Sequence, residues 1–513
     1  MANNGNSWQG TLCIEVSPVP NTIIIFGASG DLAQRKLIPA IFNLSRRNLF
    51  HAKSRIIGCS RSQLDDNSFR AAQRKTLIEH FPDADTRKID EFLQKIFYIA
   101  GGYDSPETYK GIDRKLRELE QQQDPTPNRT FYLATPAALY PIIVPMLAEF
   151  QLTEENYEGV PWRHVVLEKP FGHDLDSAEK LDRLLHESLT ERQIYRIDHY
   201  LGKETVQNIL MLRFANIIFE PIWNSHYIDN VQITVAESIG VEHRAGYYEK
   251  AGLLRDMFQN HMLEMLALTA MEMPASFDAD SIRDEKLKLI KSIRPFPIKE
   301  LDKHIIRAQY ASGDGMPGYR SEEGVSSASS TETYVAAKFL IDNWRWRGVP
   351  FYLRSGKRMP RKVSEIAITF KRVPHSIFSE LRPEDLSPDM LILNVQPEEG
   401  MTLSIQAKQP GPKLCMGRLA LDFKYSEAFG GSIPDAYERL LLDCMLGDQT
   451  LFIRSDVIAA SWRLFTPVLE AWSKFDANNL NCPCHLRFYP AGSWGPDDAE
   501  KLLAGNPPAW REL

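Results

Sequence analysis

Between Tyr195 and Asn208 the chain sets Arg196, Asp198, His199, Tyr200, Lys203 and Gln207 among Ile197, Leu201 and Val206. A carboxylate, an imidazole, phenols, amides and cations packed so densely, and interleaved with apolar residues, are more than solvent exposure requires. If the run from His199 onward is helical, His199 and Lys203 stand four residues apart on one face and can grip one anion together. Asp198 then points about 100° away, toward a different partner.

A second stretch with chemistry in it is Gly27-Ala28-Ser29-Gly30-Asp31-Leu32-Ala33. It follows Thr22 to Phe26, a short β-branched run of the kind a strand buried on both faces presents. Leu32, Leu37, Ile41 and Leu44 then recur with helical spacing. Strand, glycine turn and helix let backbone approach a pyrophosphate without an intervening Cβ, while helix N–H groups face its charge. The spacing is G-x-x-G-x-x-A and not G-x-G-x-x-G, so an ordinary strand-to-helix turn stays open as the alternative. The next predicted strand, Arg55 to Ser62, ends in Ser60-Arg61-Ser62 where an NAD enzyme places an acid for the ribose diol. Arg61 can instead fork onto a 2′-phosphate, which favours NADP; a plain surface arginine is the alternative.

Further candidates lie at element ends. His164 to Gly172 reads as a buried strand delivering Glu168 and Lys169 at its exit, with Lys169 held extended by Pro170. Lys169 is then a site residue or a solvated loop lysine. Val231 to Glu237 alternates, predicting a half-buried antiparallel strand with Glu237 on the apolar face of Val231, Ile233 and Val235. A carboxylate there needs a partner such as a sugar hydroxyl or a lysine, unless the strand end curls it into solvent. Gly252 to Leu266 predicts one long helix whose apolar stripe is interrupted by Gln259, Asn260 and His261. By itself His261 is a hydrogen-bonded core histidine, and a link to Asp198 would promote it. Arg354 to Lys362 holds five cations around Gly356 and Pro360, either a solvated run or a loop able to close over an anionic substrate.

The elements that must position these residues fall into two styles. Up to about residue 190, predicted strands, including Phe97 to Ala100 and Thr130 to Ala134, alternate with helices, among them Asp174 to Leu189; Gln121 to Asn128, with Pro125 and Pro127, is a loop. Later come strands at Glu365 to Phe370, Met390 to Val395 and Met401 to Gln406, the last two joined by a hairpin turn, and helices at Ala436 to Gly447 and Asp456 to Trp472. At 513 residues with 43% hydrophobic content, two or three domains are expected. A net charge of -7 without a long basic stretch argues against nucleic-acid binding. Neither a signal or transit pattern nor an apolar run of about 18 residues is found, and no membrane contact is expected. Six cysteines suit a reducing compartment, so a cytoplasmic protein is expected. Cys482-Pro483-Cys484-His485 has no second pair at zinc spacing and reads as structural, so no metal is expected. Cys59, beside Arg61, is either a redox-sensitive thiol or an inert core cysteine.

Three stretches coincide in order: Gly27 to Ala33, Glu168-Lys169-Pro170-Phe171-Gly172, and Arg196 to Glu204. With Arg255 to His261, Arg354-Ser355-Gly356-Lys357 and Pro434 to Leu440, the set resembles the glucose-6-phosphate dehydrogenase family, bacterial type, from about Ile23 to the Trp494 region. The resemblance implies oxidation of glucose 6-phosphate at C1 to the 6-phosphogluconolactone, with hydride passed to NADP and NAD as a weaker alternative. This is the first, oxidative step of the pentose phosphate pathway. It implies His261 as general base and Asp198 as the carboxylate that orients it and stabilises the imidazolium. By the same carry-over His199, Tyr200 and Lys203 resemble a phosphate grip, with Lys362 as an addition. Lys169, Glu237, Asp256 and Lys357 resemble sugar-hydroxyl ligands. Gly27, Ala28, Ser29, Gly30, Asp31, Leu32, Lys36, Arg61 and Lys169 fall in the cofactor site.

The implied fold class is an α/β Rossmann-like coenzyme domain followed by an α+β domain with a large, mainly antiparallel sheet. Residues 1–20 would be a flexible arm, 21–197 the NADP-binding domain, and 198–513 the substrate-binding and oligomerisation domain, which sets Tyr195 to Asn208 at a junction. A homodimer or homotetramer is implied. A second, structural NADP site known in animal-type relatives is expected to be absent, because Val363, Ala367 and Asn394 stand at some of its cationic positions. The rival readings are a non-catalytic NADP-binding regulator and a dehydrogenase of a related hexose. A degenerate regulator would be expected to have lost Asp198, His261 or Lys203.

Overall fold

The computed structural model describes residues 18–120, 128–156, 158–378, 381–412, 415–429, 434–478, 484–503 and 509–513. The expected arm apart from residues 18–20, the loop from Gln121 to Pro127, and Cys482-Pro483 lie outside the described residues. The chain forms two compact units. The first takes the chain up to Gly202 together with Ser276–Arg283 and Pro434–Ile458; the second comprises Lys203–Ala275, Asp284–Ile433 and Ala459–Leu513.

In the first unit six strands form one parallel sheet: β1 (Asn21–Phe26), β2 (Arg55–Ser60), β3 (Ile96–Ala100), β4 (Asn128–Leu133), β5 (Arg163–Leu167) and β6 (Ile194–Arg196). Their order is β3-β2-β1-β4-β5-β6. Ile23, Ile24 and Ile25 of β1 are fully buried, as a parallel sheet covered on both faces requires. Helices between the strands, such as Asp66–His80, Pro106–Glu120 and Leu175–His186, carry the crossovers. Because the order reverses between β1 and β4, a crevice opens outside their C-terminal ends, and the Gly27 turn leaves β1 there.

Among its described residues the second unit holds nine strands: β7 (Ile228–Ala236), β8 (Ile305–Ala311), β9 (Tyr334–Leu340), β10 (Pro350–Gly356), β11 (Val363–Phe370), β12 (Met390–Gln396), β13 (Gly400–Lys408), β14 (Met416–Lys424) and β15 (Arg487–Pro490). Their order is β14-β13-β12-β11-β7-β10-β9-β8-β15. Only the β10–β7 and β15–β8 pairs are parallel. Strand β7 is central and buried on both faces from Asn230 to Ala236, which corrects the half-buried strand expected from its alternation. Its polar positions are sheathed by other parts of the unit. Gln232 Oε1 accepts the Arg511 N–H at 2.9 Å, and Thr234 Oγ1 accepts Arg354 Nε–H at 3.1 Å.

Two more expectations are revised in this unit. The cationic run from Arg354 does not begin as a loop, since Arg354 and Gly356 are in β10. Arg354 is buried, its guanidinium 5.3 Å from the Trp494 ring centroid and 4.7 Å from that of Trp510; Arg361 and Lys362 alone of the five cations are exposed. The long helix expected from Gly252 to Leu266 is also broken. Gly252 takes φ 65, a π-helix runs from Leu254 to Met262, and an α-helix follows from Leu263 to Ala270. Among the described residues no helix is long and apolar enough to cross a membrane.

Candidate active site

In the first unit the Gly27 turn is drawn against both neighbours of β1. The Gly27 and Ala28 N–H groups donate to Cys59 O at 2.8 and 3.3 Å, at the end of β2. Gly27 has φ 83, and a Cβ on it would stand 2.4 Å from Ala134 O. Only glycine fits both restrictions. Ser29 Oγ lies 2.8 Å from Ser60 Oγ and 3.0 Å from Ser62 Oγ, tying the turn to the exit of β2. Arg61 sits exposed between those two serines in the chain. Backbone at a switch point, a glycine a side chain would foul and an exposed arginine beside it are what a dinucleotide phosphate needs.

Other cofactor candidates divide. Ala28 is buried, Leu32 half-buried, and Gly30 and Asp31 are exposed, with Asp31 paired to Arg35 at 2.8 Å. Lys36 is paired with Asp435 at 2.6 Å, so its charge is already answered within the unit. Cys59 is fully buried and burial pushes its thiol up to about 12, which identifies it as an inert core cysteine.

Lys169 follows a residue held more firmly than the sequence suggests. Glu168 Oε1 accepts from Tyr132 Oη at 2.5 Å, and Tyr437 adds a second hydroxyl to the same carboxylate. Tyr140 Oη accepts the Glu168 N–H at 3.1 Å and donates to the Glu168 carbonyl at 2.7 Å. Burial pushes the Glu168 carboxyl up, while the two tyrosine hydroxyls draw it back. This clamp fixes the backbone from which half-buried Lys169 projects.

The stretch opening at Tyr195 is not helical where expected. Asp198 Oδ1 accepts the Tyr200 N–H at 2.9 Å and its carbonyl accepts the Leu201 N–H at 3.1 Å, closing a tight turn. The helix starts only at Glu204, with Lys203 as N-cap. His199 and Lys203 therefore do not share a helical face. Asp198 is 1% exposed, His199 half-buried and Tyr200 buried. Arg196 is structural: its guanidinium bonds Glu191 Oε1 at 2.6 Å and Asp182 Oδ1 at 2.9 Å.

In the second unit Lys203 Nζ donates to Gln396 Oε1 at 2.6 Å, and Gln396 Nε2 in turn donates to Ser364 Oγ at 2.8 Å. Glu237 lies just past β7. Lys357 Nζ donates to its Oε2 at 2.5 Å and stands 5.0 Å from the Tyr248 ring centroid. Lys357 is only 3% exposed, so the partner expected for a carboxylate on an apolar face is this lysine. Lys362 is exposed beyond β10.

Asp256 and His261 ride the π-helix. In an α-helix residues five apart point about 140° away from each other; the i to i+5 register of a π-helix turns them toward a common side. His261 is 1% exposed, Asp256 accepts from Tyr247 Oη at 3.1 Å, and Gln259 Nε2 donates to Ser461 Oγ at 2.7 Å. The supporting Tyr132, Tyr437, Tyr140, Tyr247 and Gln396 were missed from the sequence. Tyr437 stands inside the stretch Pro434 to Leu440 and the others stand outside the motifs, but an isolated side chain carries no periodic signal of its partner.

Comparison with known proteins agrees with this geometry. The family descriptions "Glucose-6-phosphate dehydrogenase, NAD binding domain" and "Glucose-6-phosphate dehydrogenase, C-terminal domain" match residues 24–208 and 210–511. A glucose-6-phosphate 1-dehydrogenase of Chlamydia pneumoniae is 43% identical over 502 residues, 96% of each chain. That of Treponema pallidum (strain Nichols) is 44% identical over 498 residues, covering 96% of this chain and 95% of the relative. A solved glucose-6-phosphate dehydrogenase in complex with its substrate glucose-6-phosphate superposes with TM-score 0.87 at 37% identity, covering 97% of this chain and 100% of that one. With both halves matched in order, and with a coenzyme-type sheet whose first turn excludes a side chain at Gly27, the chain belongs to the glucose-6-phosphate dehydrogenase family.

Proposed function

We propose that the chain oxidises glucose 6-phosphate at C1 to the 6-phosphogluconolactone with NADP as hydride acceptor, the first step of the pentose phosphate pathway. The observation that carries the reading is the burial of Asp198 and His261, each 1% exposed. A carboxylate and an imidazole so deep must be answered by polar groups, and we assign them to each other. Asp198 accepts an N–H of His261, which orients the ring so that its other nitrogen takes the C1 hydroxyl proton. As the proton arrives, the carboxylate stabilises the imidazolium.

His199, Tyr200 and Lys203, with Lys362, hold the 6-phosphate. Lys169, Glu237, Asp256 and Lys357 hold the sugar hydroxyls, and the Glu237–Lys357 pair offers an acceptor and a donor already aligned. Gly27 to Leu32, with Lys36 and Lys169, cradles the dinucleotide, and Arg61 selects the 2′-phosphate of NADP over NAD. When bound, the nicotinamide accepts the hydride. We place the enzyme in the cytoplasm, on its sparse cysteines, as a homodimer or homotetramer.

The test is nicotinamide reduction followed by absorbance, with glucose 6-phosphate, free glucose and other hexose phosphates, and with each nicotinamide. Rapid reduction of NADP by glucose 6-phosphate alone is expected. No reduction would leave a binding protein, and preference for another sugar would move the substrate. His261→Asn is expected to lose about 10²-fold or more in kcat while still binding glucose 6-phosphate; near-normal turnover would remove it as the base.

A further inference from the structure

The π-helix Leu254–Met262 needs something to start it where it does. Gly252 precedes it at φ 65 and ψ 172, a backbone state open to glycine. A Cβ on Gly252 would stand 2.3 Å from Glu332 Oε1 and 2.7 Å from its Cδ, so the carboxyl group fills the space a side chain would take. Glu332 is 5% exposed. Its Oε1 accepts the Leu254 N–H at 3.1 Å, and its carbonyl accepts the Leu253 N–H at 3.0 Å.

One residue thus holds two successive amides at a helix start, groups that have no partner within a helix. Its carboxyl also lies where the helix field favours negative charge. Burial pushes that carboxyl up, and Arg255 and Arg307 draw it back. The hold continues into the next residue: the Thr333 carbonyl accepts the Lys357 N–H at 3.0 Å, while its own N–H donates to Ala308 O of β8 at 2.9 Å. The dipeptide Glu332-Thr333 therefore ties both the helix carrying Asp256 and His261 and the backbone of Lys357 to one sheet.

We propose that Glu332 is a positioning residue for the reaction: paired with Gly252, it sets the start of the π-helix and so the placement of His261 and Asp256 relative to Lys357. It acts through the helix and needs no contact with substrate. The inference rests on the reading of His261 as base, and its test keeps the two apart.

Glu332→Ala, Glu332→Gln and Gly252→Ala are compared in the full chain. Misplacement of a reacting group by about 1 Å costs on the order of 10²-fold, so Glu332→Ala is expected to lose at least about 10-fold in kcat with the KM for NADP unchanged. Glu332→Gln keeps an oxygen for the Leu254 N–H and is expected to recover most of the loss. Gly252→Ala should lose as much as Glu332→Ala, because its Cβ evicts the carboxyl group, and the double variant should lose no more than either single one. Amide hydrogen exchange across 254–262 should quicken in both alanine variants.

Faster exchange with wild-type turnover overturns the proposal, as does wild-type exchange in both alanine variants. An equal loss in the KM for NADP would mark general damage and also overturns it. If Glu332→Ala does not fold, Gly252→Ala decides, and wild-type kcat there overturns it. An unmodified chain inactive on glucose 6-phosphate would sink the base reading, and the exchange comparison would still decide whether Glu332 sets the helix start.

Discussion

Lys203 Nζ donates to Gln396 Oε1 at 2.6 Å, a hydrogen bond to a neutral amide. Lys203→Ala is expected to raise the KM for glucose 6-phosphate by one to two orders of magnitude, roughly the worth of a charge-assisted contact, with little effect on free glucose. Equal effects on the two sugars would cancel the phosphate assignment. Arg61→Ala should weaken NADP more than NAD, read as the ratio of the two KM values; an unchanged ratio would count against Arg61 as the selector. At this scale the sequence was informative wherever a residue type is rare in its setting, as with a lysine held before Pro170 or a histidine on an apolar helix. It was silent about partners. Nothing in the chain announces that Glu168 is clamped by Tyr132 and Tyr437, because those contacts depend on three separate segments meeting.

The strands were legible because burial on both faces leaves a long apolar signature, and β1, β4 and β5 came out within a residue or two of expectation. The helices near the site were not. Between His199 and Gly202 the chain stays in a turn, with the Tyr200 N–H on Asp198 Oδ1, and at Gly252 the break is set by a carboxylate 80 residues later in the chain. Both are tertiary or local side-chain effects that periodicity does not contain. The glycine turn is the element where sequence and structure agree for a stated reason. Gly27→Ala must strain φ 83 and push a methyl into Ala134 O, 2.4 Å away. It is expected to raise the Kd for NADP by about 10-fold or more, measured by quenching of protein fluorescence; an unaltered Kd would remove this turn from the cofactor site.

Across the whole molecule, pH dependence of stability should have an identifiable contribution from His164. Its ring stacks on Trp162 at 4.0 Å and its Nδ1–H donates to Cys444 O at 2.7 Å. Burial lowers its pKa to about 4, the Cys444 carbonyl opposing the shift. Unfolded, the group titrates near 6.5. Below that value the unfolded chain takes a proton that the folded one resists. The stabilisation from the neutral ring is therefore full above pH 6.5 and is lost as pH falls toward 4. Urea midpoints should drop between pH 6.5 and 4.5 by less in His164→Phe than in the unmodified chain, and parallel curves would refute the assignment.

Strand β7, the middle of the nine-stranded sheet, has its polar side closed by Arg511, whose N–H reaches Gln232 across 279 positions of sequence. Residues so far apart must close a long loop before the contact rewards them. The polar face of the central strand therefore stays uncovered at Gln232 until residues near 511 are in place.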